Sequence, residues 1–243
     1  VATFHRPGYR HVATRYSLLA TRYSLFPMDI AVAPRYEGWS MSSLESLLDS
    51  RQVWRAQAGA DSQGGDAIAS GHAALDAILP GGGWPSAAVS ELLSAGAGNG
   101  ELALLWPVIS RMTREGRPVV LVSPPGVPYP AAWRQAGVAL EQCHWLDVQG
   151  REALWATEQC LRAGCCAAVV AWLPQADSRL MRRLQVAAAS GNTLAFVHRP
   201  LAKVSEASPA PLRLRLHRHA ELEILKCRGG FPSARRIAFG ARA

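Results

Sequence analysis

The stretch Ser70–Leu105, SGHAALDAILPGGGWPSAAVSELLSAGAGNGELALL, decides the fold. It begins with a short helical turn and a glycine knot. Ala87 to Leu93 follows as the apolar run of a buried strand, Ser94 to Gly100 as a loop of small residues and glycines, and Glu101 to Ile109 as renewed helical periodicity. A strand, a glycine-rich loop and a helix in that order form the context in which a P-loop holds phosphate. Backbone N–H groups and the positive end of a helix converge there on an anion.

The loop has that architecture without the chemistry. A working P-loop needs a lysine on the terminal phosphates and a Ser or Thr on Mg²⁺. The residues here are Gly96, Ala97, Gly98, Asn99, Gly100 and Glu101, and no lysine stands between Arg55 and Lys203. Glu101 meets a phosphate with like charge. Farther on, Cys166 to Leu173 reads as the strand that carries a magnesium-holding acid in ATPases. It ends in Trp172 and Leu173, and the next acid is Asp177, beyond Pro174. With both metal-site elements missing, Gly96, Gly98, Asn99, Gly100 and Glu101 read as a degenerate phosphate loop. The expectation is a chain with no catalytic residue, no metal and no required cofactor.

The alternation of elements sets the fold class. Arg117–Val122, His144–Val148, Cys166–Leu173 and Thr193–Val197 are short apolar strand segments, separated by helical segments at Ala131–Gly137, Arg151–Ala163 and Asp177–Ser190. Buried strands alternating with helices imply an α/β fold, a mostly parallel sheet covered on both faces. Pro107 predicts a kink or an early end to the helix from Glu101. Gly164 supplies the C′ position of the helix before it, in which Leu154, Trp155 and Leu161 are expected to face inward. Asp177 or Ser178 is the expected N-cap of the helix that follows. Ser123–Pro130 is too proline-rich for regular structure, and its Tyr129 is placed to line a residual pocket or to pack down. His198–Pro211 reads as a loop. After it the period changes to strict alternation in Leu212–Leu216 and Glu221–Lys226, which predicts an antiparallel β-hairpin with Arg213 and Arg215 opposite Glu221 and Glu223. Ser233 to Phe239 adds a last edge strand.

Charge is unevenly distributed. The chain of 243 residues carries +8 overall, yet residues 199–243 hold ten Lys/Arg against three Glu, while residues 41–198 hold eleven Arg against thirteen acids. A basic C-terminal part on a near-neutral body points to an anionic partner, nucleic acid first. Arg179, Arg182 and Arg183 share one helix face. Together with Arg199, Lys203, Arg213, Arg215, Lys226 and Arg228 they form the expected DNA or partner contact. The five cysteines form no C-x-x-C pair and are expected to be reduced and mostly buried. The longest apolar run, Cys165–Leu173, is far too short to span a bilayer.

Residues 1–40 read differently from the rest, with ATRYSL at Ala13–Leu18 repeated at Ala20–Leu25. Disorder is expected there. The segment is either an extension upstream of a natural start at Met41 or a transit peptide. Residues 41–66 are expected to form an N-terminal helix and linker, since Ser42 and Glu45 make a capping box. Residues 67–243 form the core with its basic hairpin and tail.

The opening stretch resembles the segment leading into the P-loop of RecA-type recombinases. GRPVVLVSPPGVPYPAAWRQAG, ALWATEQCLRAG, RRLQVAAASG and SPAPLRLRL resemble the ImuA family, RecA-like proteins associated with translesion DNA synthesis, over roughly Met41 to Gly230. The resemblance implies a RecA-like sheet and a bacterial cytoplasmic accessory factor of SOS-induced mutagenic lesion bypass. Its implied partners are a Y-family-type polymerase, an error-prone replicative-type polymerase, RecA and DNA, with no membrane. Two other readings compete. One is a SulA-type inhibitor that caps a tubulin-like cell-division protein. The other is a RecA-like ATPase, against which the missing lysine, hydroxyl and acid count.

Overall fold

The computed structural model describes residues 67–96, 98, 100–127 and 129–239. The expectations for residues 1–40 and 41–66 lie outside them. The architecture is α/β. Eight strands, β1 (Val89–Ser94), β2 (Val119–Val122), β3 (Cys143–Leu146), β4 (Ala168–Trp172), β5 (Leu194–Pro200), β6 (Leu212–His217), β7 (Glu221–Cys227) and β8 (Ser233–Ala238), form one sheet. Its order is β3-β2-β4-β5-β1-β6-β7-β8. Every pairing from β3 across to β6 is parallel. The β6–β7 and β7–β8 pairings are antiparallel, as the change of period after Pro211 predicted.

Alternation along the strands supplies two cores. In β4, Ala168 and Val170 face one way and Val169 and Ala171 the other. The first face is covered by α1 (Ala73–Asp76), α2 (Glu101–Arg114) and α3 (Pro130–Gln135), through Leu75, Leu105, Ile109 and Trp133. The second is covered by α4 (Gly150–Ala163) and α5 (Ser178–Ser190), through Leu161, Met181 and Leu184. Trp84 and Phe196 meet edge to face with ring centroids 5.0 Å apart, which adds a directional contact to the burial of both rings.

The helix ends follow the sequence. Asp177 caps α5 by accepting a hydrogen bond from the Leu180 amide at 2.8 Å. Gly164 closes α4 at φ +63°, a left-handed conformation that costs glycine nothing.

Several expectations are corrected. Pro107 does not end α2, which runs on to Arg114. Gly71 leaves room for the proline ring, since a Cβ there would lie 2.4 Å from the Pro107 Cβ. His72 Nε2 lies 3.0 Å from the Leu104 carbonyl, three residues ahead of the proline. A carbonyl can only accept, so Nε2 carries the proton and supplies a donor where proline disturbs the helical ladder. Trp155 is 60% exposed, on the outer side of α4 rather than the inner. Strand β5 continues through His198 and Arg199, which the sequence reading assigned to a loop. Pairing with β1 on one side and β4 on the other carries it forward. Arg213 does not face a glutamate: the antiparallel register sets Glu221 opposite His217, and a register shift between Arg213 and Leu214 leaves Arg213 opposite Lys226. Arg215 does face Glu223, as expected. Of the cysteines, Cys165 is exposed and the other four are half-buried.

Gly191 marks the tightest helix–strand junction, where a Cβ would lie 1.8 Å from the Leu161 carbonyl oxygen of α4. Gly191→Ala must push the end of α5 away from α4. A loss of about 1–3 kcal/mol is expected, read as a lowered urea midpoint at unchanged slope.

Candidate functional site

A cleft of about 570 Å³ opens at the carboxyl ends of the parallel strands. This is where parallel α/β sheets place their ligands. Ser94 follows from β1, Ser123 from β2, Asp147 from β3, Trp172 from β4 and His198 from β5, so five strands contribute to one concavity. Ser123 adopts φ +54°, left-handed and unusual for a residue with a Cβ. Its hydroxyl donates to the Val148 carbonyl and its amide to the Leu146 carbonyl, so the strained turn is held by the end of β3.

The degenerate loop forms one wall. Gly98 and Gly100 take φ +83° and +84°, and a Cβ on Gly100 would come within 3.3 Å of the Phe239 ring. Asn99 lies outside the described residues. Ser94 Oγ donates to the Gly96 carbonyl at 2.9 Å. Glu101, the first residue of α2, is only 6% exposed, and its Oε1 accepts the Gly98 amide at 2.8 Å. That amide belongs to the group of donors that would otherwise turn to a phosphate. The chain therefore carries its own anion at the helix N-terminus, where the helix dipole favours one. Its second oxygen, Oε2, is buried without a partner among the described residues.

The floor is aromatic. Trp172 and His198 stack with centroids 4.8 Å apart and planes 8° from parallel. They occupy the strand ends where a nucleotide-hydrolysing site would need its acid. Burial pushes the His198 imidazole down to a pKa of about 3, so the ring is neutral and brings no cation to the cleft. Arg199 also borders it, but its side chain is fully buried and committed elsewhere. Tyr129, expected to line the pocket or pack down, does neither: it is 70% exposed and away from the cleft. Among the described residues no group of His, Cys, Asp or Glu side chains is placed to hold a metal ion. No helix among them is long and apolar enough to cross a membrane.

The nine basic residues singled out as contacts fall into distinct groups. Arg199 and Arg213 are corrected: both turn inward onto Glu91 of β1, a carboxylate with no exposure at all. Arg199 donates to Glu91 Oε1 at 2.7 Å, and Arg213 Nε to Oε2 at 2.8 Å. Arg213 also donates to the carbonyls of Lys203 and Val204. Glu206 closes the cluster on Arg199 and Lys203, each at 2.6 Å, and Lys203 with Arg199 draws the Glu206 carboxyl below its usual range. Arg215 pairs with Glu223 at 3.9 Å, and Lys226 donates to the Ser208 carbonyl. Arg183 is exposed but pairs with Glu158, which also holds Arg162. Arg179, Arg182 and Arg228 are exposed. The sequence reading missed Glu91 because nothing in an apolar strand tells which cations will fold onto its one acid.

No family model matches the chain, and no curated protein matches it. Among solved structures it is similar to SulA from Pseudomonas aeruginosa, with 28% identity over 46% of this chain and 97% of that one and a TM-score of 0.40. More than half of this chain lies outside that overlap.

Two outcomes test the site. Glu91→Gln leaves two buried guanidinium groups without their counter-charge, and a loss of about 3–5 kcal/mol is expected by denaturant titration. His198 acts through pH. Between pH 6.5 and about 3 the unfolded chain takes up a proton on this ring that the folded chain refuses. Its share of the stability is therefore complete above pH 6.5 and falls as the pH is lowered. The wild type should lose about 2 kcal/mol more than His198→Phe between pH 7 and pH 5, in paired urea titrations.

Proposed function

We propose that this chain is a RecA-like accessory factor without nucleotide hydrolysis, acting in SOS-induced mutagenic translesion synthesis through protein partners. The observation that carries the non-catalytic part is the Glu101 carboxylate on the Gly98 amide at 2.8 Å. An anion built into the loop competes with any phosphate for the same donor and repels it. At an effective dielectric of about 20, two unit charges some 4 Å apart repel by about 4 kcal/mol. That is enough to offset most of what one loop amide and a helix end contribute to phosphate binding. The Trp172–His198 stack supports the same reading, since neither side chain can hold Mg²⁺ as a carboxylate would.

The translesion part rests on the sequence resemblance. A polymerase of the Y-family type, an error-prone replicative-type polymerase and RecA are the partners it implies. On this reading the helices and strand ends form a docking body, and the cleft is a remnant of the fold.

The test combines chemistry and genetics. Purified chain should show no Mg-ATP turnover above that of a Gly100→Val variant. In a bacterium deleted for the gene, it should restore damage-induced mutagenesis only while the polymerase partners are present. ATP turnover abolished by the Gly100 change would replace the reading with a motor. Filamentation on expression in cells lacking those polymerases would replace it with a division inhibitor.

A further inference from the structure

The turn between β7 and β8 brings together three features. Phe231 is 84% exposed, the most exposed of the large apolar side chains among the described residues. It borders a second groove, of about 530 Å³, whose opposite side is Ile78, Leu79 and Pro80. Ile78 is itself 39% exposed. Gly229 at φ +83° turns the chain, and a Cβ on Gly230 would meet the Pro80 ring at 2.9 Å. The turn is thus seated against Pro80, with Phe231 left projecting.

Among the described residues the lining of this groove carries no charged side chain, and so no acid. Arg228 adjoins the lining on one side and Arg235 lies two residues beyond it on the other. Both are exposed, and neither guanidinium has a partner among the described residues. This sets them apart from Arg213, Arg215 and Arg236, each held by a glutamate.

We propose that this groove holds an unpaired nucleic-acid strand, with a base stacked on Phe231 and flanking phosphates on Arg228 and Arg235. An exposed ring beside free arginines on an apolar floor is what a base and its two phosphates need together. A duplex hides its base faces and offers only the phosphates. An apolar peptide would leave both guanidinium groups unused. The proposal stands apart from the reading of the phosphate loop, since no residue is shared between the two sites.

The experiment uses the full chain and a fluorescein-labelled oligothymidylate of about 20 nucleotides, longer than one binding site. Anisotropy is followed at several salt concentrations, with a duplex of equal length and inorganic polyphosphate as competitors. Phe231→Ala should weaken binding by about 5- to 150-fold, the span measured for a lost stacking contact. Phe231→Trp should retain it. Arg228→Glu with Arg235→Glu should weaken binding and reduce the salt slope by about 1.4, for two phosphates at about 0.7 each on a single strand. All three side chains are exposed, Phe231 and Arg228 in the turn and Arg235 in β8, so an unchanged melting temperature confirms that each variant is folded. Binding of Phe231→Ala equal to wild type would overturn the proposal, as would equal competition by duplex or polyphosphate. So would loss of a protein partner by the same variant with strand binding intact. None of these results touches the ATP turnover or mutagenesis assays, so the two readings fail separately.

Discussion

A single buried carboxylate holds the centre of this molecule together. Glu91 lies in β1 between β5 and β6, and an ionised acid in that position costs several kcal/mol of lost hydration. Arg199 from β5 and Arg213 from β6 offset the cost, and the carbonyls of Ala176, Lys203 and Val204 take further guanidinium protons. Three neighbouring strands and the segment after Pro200 are joined through one side chain. A hydrophobic pair would pack the same space with less cost but without fixing which strands adjoin. The directed geometry of two guanidinium groups on one carboxylate ties β6 to β1, and β6 brings the antiparallel hairpin with it.

That arrangement also divides the protein's positive charge. Arg199 and Arg213, the cations spent on Glu91, face inward, whereas Arg228 after β7 and Arg235 in β8 are left in water. The strand ends repeat the theme with an acid. Glu101 closes over the Gly98 amide, and neutral His198 lies flat on Trp172. Among the described residues, the cleft at the ends of the parallel strands is accordingly lined without an available cation, in a chain whose net charge is +8.

Much of this was legible in the residues. The order of strands and helices follows from apolar runs, from Gly164, and from Asp177 at the start of α5. The hairpin follows from the alternation after Pro211. The loop's lack of lysine and hydroxyl is a matter of composition. The early end that Pro107 allowed for did not occur, because Gly71 and His72, about 35 residues earlier, accommodate the ring, which the sequence could not show. Trp155 misled because a helix's inner stripe is set by the partners it meets: Leu161 lies inward as expected, but Ala153 and Thr157 share that stripe with it and Trp155 does not.

The sequence by itself determined the periodicities, the turns and the missing chemistry of the phosphate loop, because each depends on residues within one element. Only the tertiary structure decided which arginines are structural and which are available. The carboxylate that claims Arg199 lies 108 residues away, and Arg213 reaches the same group across 122. A side chain's charge is local, but its exposure depends on whatever the folded chain brings beside it.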